Sequence, residues 1–221
     1  MRVVVKLGGR VAQDSVGLVI ERHEAGDEVA VVHGAGPQIT AELQMRGIAA
    51  RFVGGRRFTD QATIAVVRSS LVAVGAELCA AIGPAALHCV GDEIGLEALR
   101  VPDLGLVGEP LPFRPIAVEA ALADRGIPVV TPIALGPLNV NADEAATALA
   151  VGLEVDRVVF VSDVPGVLVE GTVASRLHVD DADELLGAGA FDGGIVPKLL
   201  AAARAARLGI IAEIGETAVV A

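Results

Sequence analysis

Two short runs of β-branched residues, each closing on glycine, constrain this chain more than any other feature. The first is Val3-Val4-Val5-Lys6-Leu7-Gly8-Gly9, and the second runs from Asp27 to His33 and ends in Gly34-Ala35-Gly36-Pro37. A continuous apolar run of that length bounded by glycine reads as a strand buried on both faces, which a parallel sheet with helices on either side requires. Parallel neighbours bring their C-terminal loops side by side, so two glycine loops make one concave edge whose amides point outward. The first loop also carries a cation to that edge, Lys6.

The remainder of the chain continues the alternation. Helical spacing runs over Asp14–Ala25, Gln38–Arg46, Gln61–Ile82 with Asp60 as its cap, Ile116–Arg125, a stretch ending at Leu153, and a short acidic segment over Asp180–Leu186. Strands are expected over Ala85–Val90, Ile94–Val101, Leu104–Val107, Ile127–Pro132 and Asp156–Ser162, with Phe52–Asp60 as a glycine-interrupted connection. Strands interleaved with helices of this length predict an α/β fold: a three-layer αβα sandwich around a mainly parallel central sheet. His33, ending a buried strand, and His88, within Ala85–Val90, read as structural hydrogen-bonders.

Composition narrows the partners. A net charge of -11 and a pI near 4.8 argue against a general nucleic-acid or anionic-membrane surface, so any phosphate site must be local. Aromatics are 2% with no Trp or Tyr, which removes base-stacking platforms. There is no charged leader with an apolar helix behind it, and no apolar run reaches the roughly 18 residues of a membrane span before a charge or breaker intervenes. A cytoplasmic protein is expected. Cys79 and Cys89 match no metal-ligand spacing and read as buried free thiols.

Of 17 basic residues only two, Lys6 and Lys198, are lysine. A chain that uses arginine almost everywhere keeps lysine where a compact ammonium cannot be replaced by a rigid guanidinium fork, and phosphate handling is such a place. Lys198 closes Phe191-Asp192-Gly193-Gly194-Ile195-Val196-Pro197-Lys198, where Pro197 suits the first turn of a helix ending near Leu208. A cation there opposes the helix dipole, which favours function over decoration. Asn139-Val140-Asn141-Ala142-Asp143-Glu144 packs two amides and two acids around another helix start. Asn141 as cap and the acids as dipole partners account for part of it, and Asn139 is left over.

These segments resemble the amino-acid kinase family, and within it the members that phosphorylate N-acetyl-L-glutamate. The resemblance rests on seven pieces in order across nearly the whole chain: Lys6–Gly9, His33–Gly36, Arg57–Asp60, Asp103–Gly108, Asn139–Asp143, Ser162–Val167 and Gly193–Lys198. It implies one contiguous kinase domain with two lobes. Residues 1–152 would bind the amino-acid substrate and dimerise, and 153–221 would bind nucleotide. The implied reaction passes the γ-phosphoryl of ATP to a side-chain carboxylate, making an acyl phosphate. A carboxylate is already an anionic nucleophile, so no general base is required and catalysis becomes positioning plus charge cancellation.

By the same resemblance Lys6 and Lys198 stabilise the transferring group, with Asp143 as their orienting counter-ion. Amides of Gly8, Gly34 and Ala35 donate to its oxygens, and Arg57 and Asn139 hold the amino-acid end. Gly8, Gly9, Asp163, Val164, Pro165, Gly166, Val167, Leu168, Ala190, Phe191 and Asp192 match the nucleotide-binding segments. Mg2+ would ride on the phosphates, with no dedicated protein cage. Three departures stand out: Ala35 replaces a family glycine, the segments before Asn139 and after Ile214 are trimmed, and no extra N-terminal helix is present. A homodimer insensitive to arginine is implied. Two alternatives remain open, a kinase of carrier-bound aminoadipate, glutamate or another small acid, and a ligand-binding regulator without turnover.

Overall fold

A computed structural model of the chain describes residues 1–8 and 15–221. The first half runs β1 (Arg2–Leu7), α1 (Val16–Glu24), β2 (Glu28–His33), α2 (Gly36–Met45), a hairpin of β3 (Phe52–Val53) and β4 (Arg56–Arg57), α3 (Gln61–Ile82), β5 (Ala86–Val90), β6 (Ala98–Arg100), β7 (Val107–Pro110) and α4 (Ile116–Ala123). The second half runs β8 (Ile127–Thr131), β9 (Ile133–Ala134), β10 (Leu138–Val140), α5 (Ala142–Gly152), β11 (Arg157–Phe160), β12 (Leu168–Val169), β13 (Thr172–Val173), β14 (Arg176–His178), α6 (Val179–Gly187), α7 (Ile195–Arg207), β15 (Ile211–Ile214) and β16 (Thr217–Val220).

Eight strands form the central sheet in the order β14-β16-β15-β11-β1-β2-β8-β5, every neighbour parallel except β15 with β16. The expected mainly parallel sheet is present. β1 lies near its middle, between β2 and β11, and its side chains alternate between two apolar layers. Val3, Val5 and Leu7 pack with α1, α2 and α3, whereas Val4 packs with α4, α5 and α7. That completes the αβα sandwich. It also sends Lys6, two residues after Val4, toward α5.

A second sheet, β6-β7-β10-β9, stands beside the first and carries Asn139 on β10, paired with Val107. Two strands differ from expectation here. β6 is shorter than Ile94–Val101 and β7 is shifted from Leu104–Val107, because Asp103 (φ 64°) and Gly105 (φ 77°) take left-handed backbone and make the turn between them. The β12–β13 hairpin, closed by Glu170 (φ 51°) and Gly171 (φ 80°), is an element not expected from the sequence. Asp14 and Gly9 lie outside the described residues, and helix α1 is described from Val16.

α3 is 22 residues long and contains an 18-residue window with a mean hydropathy of 1.7, enough by length and composition to cross a bilayer. Arg68 and Glu77 interrupt its apolar run, as expected. One side of the helix, from Ile64 through Val67, Leu71, Val74 and Leu78 to Ile82, is buried against the sheet. Arg68 on that helix pairs with Asp92 and Glu93. Cys79 and Cys89 are free, half-buried on α3 and buried on β5 respectively.

Gly105 tests the turn that fixes the second sheet. A Cβ there would lie 2.2 Å from the Thr59 carbonyl oxygen, on backbone already at positive φ. Gly105→Ala is therefore expected to cost about 2 kcal/mol or more in denaturant unfolding. Gly17→Ala, on an open face of α1 with nothing within 4 Å, should gain a few tenths to about 1 kcal/mol.

His33 generates a second test. Its ring is fully buried, and desolvation pushes its pKa from 6.5 down to about 4, against a smaller raising effect of the Gly34 backbone. The unfolded chain takes up this proton near pH 6.5 and the folded chain only near 4, so in that window the unfolded state binds more protons. Stability should fall on acidification by about 3 kcal/mol from this group alone. Denaturant midpoints of wild type and His33→Asn across that window measure it, the variant lacking this component of the slope.

Candidate active site

Lys6 enters the site from the C-terminal end of β1, and its ammonium lies 2.8 Å from Oδ1 of Asp143. Asp143 sits in the first turn of α5, where Asn141 is the N-cap and its Oδ1 accepts from the N–H groups of Asp143 (2.8 Å) and Glu144 (3.2 Å). Lys198, in the first turn of α7, places its ammonium 3.6 Å from the same Asp143 oxygen. The Thr147 hydroxyl lies 3.2 Å from the carbonyls of both Asp143 and Ala201, tying α5 to α7. Sheet, cap and helix contact together bring residues 6, 143 and 198 to one point.

All three side chains are nearly buried, at 6, 8 and 14% exposure for Lys6, Asp143 and Lys198. Two cations share one carboxylate, so the cluster carries a surplus positive charge in a poorly solvated place. Burial pushes the Lys6 pKa below the lysine range, Asp143 opposes that fall and Lys198 adds to it. Such a surplus is costly until an anion arrives.

The space beside the trio is a cavity of about 420 Å³ whose wall includes Lys6, Gly8, Gly34, Ala35, Arg57, Asn139, Asp143, Asp163 and Lys198, all expected site residues. Gly36, Asn141, Ser162 and Gly194 also line it, which the sequence reading did not single out as a wall. Among the described residues the N–H groups of Gly8 and Ala35 have no partner, and Ala35 is the N-cap of α2. Unpartnered amides at a helix N-terminus suit an anion. The Gly34 N–H does not contribute: it donates to the Leu7 carbonyl at 2.9 Å, extending the parallel ladder. The expectation that it would donate to a ligand is corrected accordingly.

At the far wall, Arg57 of β4 is 7% exposed. Its Nη2 donates to the Gly36 carbonyl (3.1 Å) and to Thr40 Oγ1 (2.8 Å), while Nη1 is buried with no partner. A buried guanidinium nitrogen left free is a donor waiting for an acceptor. Asn139 Nδ2 donates to Thr59 Oγ1 at 3.0 Å and that hydroxyl donates to the Arg57 carbonyl at 2.9 Å, so the amide and the arginine are braced together. The Phe52 ring covers the guanidinium at 4.6 Å. Beside it Arg56, unremarked in the sequence, donates to Glu144 at 2.9 Å and pins the β3–β4 hairpin to α5.

The remaining expected residues divide. Phe191 and Asp192 line an adjoining cavity of about 860 Å³ that shares Gly55, Arg56, Asn141 and Gly194 with the first. Val164, Pro165, Gly166, Val167, Leu168 and Ala190 are not on either wall. Val167 is fully buried in the core and its N–H donates to Thr217 Oγ1 at 2.8 Å, while Pro165 accepts from Glu216. Gly9 is outside the described residues. Among the described residues no three His, Cys, Asp or Glu side chains gather where they could hold a metal ion. The site's donors are ammonium, guanidinium and amide groups, the set that fits phosphate and carboxylate oxygens.

Comparison with known proteins agrees with this geometry. Residues 1–215 match the model of the amino acid kinase family. An acetylglutamate kinase from Roseiflexus castenholzii is 42% identical over 81% of this chain and 74% of its own length, and one from Methanoculleus marisnigri is 35% identical over 94% and 82%. Among solved structures, the smu.665 protein of Streptococcus mutans superposes with a TM-score of 0.90 at 25% identity, covering 99% of this chain and 98% of its own. Carbamate kinase from Giardia lamblia bound to AMP-PNP shares the fold at a TM-score of 0.72 and 16% identity, covering 99% and 98%. With a family match across almost its full length and relatives this similar, the chain belongs to the amino acid kinase family.

Proposed function

We propose that this chain transfers the γ-phosphoryl group of ATP to the side-chain carboxylate of N-acetyl-L-glutamate, a step of arginine biosynthesis. The observation that carries the reading is the convergence of Lys6 and Lys198 on Asp143 beside the free Nη1 of Arg57. The acetylglutamate kinases it resembles support the choice of acceptor.

A carboxylate oxygen of the acceptor attacks the γ-phosphorus in line, the bond from that phosphorus to the β,γ-bridging oxygen breaks, and ADP leaves with the electron pair. Repulsion between an anionic nucleophile and a polyanionic donor is the barrier. Lys6 and Lys198 would meet the phosphoryl oxygens, filling the vacancy of negative charge that Asp143 leaves half satisfied, and the amides of Gly8 and Ala35 would add neutral donors. Arg57 would grip the α-carboxylate through Nη1, with Asn139 beside it. Residues 1–152 would thus hold the acceptor and 153–221 the nucleotide, around Asp163, Phe191 and Asp192. Mg2+ would be carried by the nucleotide phosphates, whose charge it lowers.

A cytoplasmic homodimer fits this reading. β5 is an edge strand, and the outer side of α3 next to it exposes Ala62, Ala65, Ser69, Ala73 and Ala76, small enough for close approach of a second helix. Arginine sensitivity is not expected.

Trapping the acyl phosphate with hydroxylamine, alongside ADP release, tests the reaction on N-acetylglutamate, glutamate and N-acetylaminoadipate. N-acetylglutamate should give the highest kcat/KM; ligand binding without turnover on any acceptor would sink the kinase reading. Lys198→Arg and Asp143→Asn should each lower kcat about 100-fold or more in folded protein, since a fork cannot replace the point charge and an amide cannot hold two ammonium groups. Arg57→Lys should instead raise the acceptor KM about tenfold or more and leave the ATP KM unchanged, the signature of lost ground-state binding.

A further inference from the structure

The β3–β4 hairpin has little of its own to hold it. Each strand is two residues long, the Gly54-Gly55 turn takes left-handed backbone at both positions (φ 55° and 77°), and Phe52 and Val53 are about half exposed. A two-stranded hairpin that buries so little is marginal alone. Its place is set by β4, whose two arginines leave opposite faces, as successive residues of a strand do. Arg57 reaches Gly36 and Thr40 of α2. Arg56 reaches α5, where its Nε and Nη2 both lie 2.9 Å from Oε1 of Glu144. The hairpin is thus strung between two helices that both line the cavity.

Stability alone does not account for the Arg56–Glu144 pair. Both side chains are three-quarters or more withdrawn from solvent, and Oε2 of Glu144 is buried with no hydrogen-bond partner. An ion pair in such a place returns little net stability over apolar side chains of the same size, whereas its geometry is directional. No other acid holds Arg56 as closely among the described residues: Glu109 lies 3.9 Å from Nη2 and is itself paired at 3.0 Å with Arg204. Glu144 is fixed in turn by Asn141, whose Oδ1 accepts its N–H at 3.2 Å. The pair therefore transmits the position of the α5 N-terminus, where Asp143 stands, to the strand residue next to Arg57.

We infer that Arg56 and Glu144 are positioning residues for the acceptor: their ion pair holds the β3–β4 hairpin against α5, and with it Arg57 and its free Nη1 at the cavity wall. This rests on the kinase reading above. Arg56 acts through the backbone it shares with Arg57, and Glu144 acts through Arg56. Charge and position predict opposite effects at Glu144. Removing an acid near a dianionic acceptor would tighten binding by Coulomb attraction, whereas releasing the hairpin loosens it.

A double-mutant cycle on folded protein, read as the KM values for N-acetylglutamate and ATP, tests this. Arg56→Met keeps the stem and removes the ion pair, and Glu144→Ala removes its partner. Each should raise the acceptor KM about tenfold and leave the ATP KM within about threefold. The double variant should be no worse than the worse single, as for two members of one contact. Glu109→Ala, at a longer and more exposed contact, should leave both KM values within about twofold. A lower acceptor KM in Glu144→Ala, or a rise confined to Arg56→Met, would give Arg56 a direct grip on the acceptor and overturn the inference. Lost thermal stability with both KM values unchanged would overturn it too. Should either single variant not fold, Arg56→Lys and Glu144→Gln keep the shape and weaken the pair, and each should raise the acceptor KM about threefold; no rise overturns the inference. Amide hydrogen exchange over residues 52–58 of the ligand-free chain needs no turnover. It should quicken in both single variants, and unchanged exchange would refute the hold on the hairpin. A wild-type chain that turns over no acceptor would remove the reaction reading instead, and the exchange rates then decide whether the pair holds the hairpin.

Discussion

Two ammonium groups on a single buried carboxylate are the constraint from which the rest of this structure follows. Like charges placed this close, with so little water around them, repel strongly unless something holds them, and one carboxylate neutralises only one of them. The fold therefore has to fix Lys6, Asp143 and Lys198 by separate rigid means. β1 does so by lying between two parallel neighbours, α5 by its Asn141 cap, and α7 by the Thr147 contact to Ala201. The resulting unbalanced positive charge is a stored preference for a polyanion.

The acceptor end is organised on a different principle. Arg57 is covered by Phe52, held in plane through Nη2 by Gly36 and Thr40, and braced at its backbone carbonyl through Thr59 to Asn139, so Nη2 is committed while the buried Nη1 is left free. Rigidity there depends on the Thr59–Gly105 crossing, where backbone meets backbone too closely for any side chain. The hairpin carrying Arg57 is also pinned by Arg56 to Glu144, the residue next to Asp143. Acceptor grip and charge cluster are thus mechanically adjacent at the start of α5.

Much of this was legible in the sequence, and the reasons can be named. Buried parallel strands announce themselves as β-branched runs, so β1, β2, β8 and β11 and the sandwich they imply were readable. Lysine scarcity marked both ammonium groups without any structure, because the chain supplies its own arginine background. Left-handed turns at non-glycine residues carry little signal, and Asp103 and Glu170 hid the limits of β7 and the β12–β13 hairpin. Arg56 and Glu144 were invisible as a pair because 88 residues separate them. The resemblance implies that the Gly34 amide serves the ligand, whereas the ladder register takes it.

The lysine economy has a chemical corollary. Reagents that acylate or reductively alkylate primary amines meet only two side-chain targets in this molecule, Lys6 and Lys198, both close to Asp143 and both shielded from bulk solvent. Elsewhere the cationic surface is guanidinium, inert to such reagents. Apart from the exposed α-amino group of Met1, amine-directed labelling of the folded chain would therefore report on access to one cavity rather than on the surface at large.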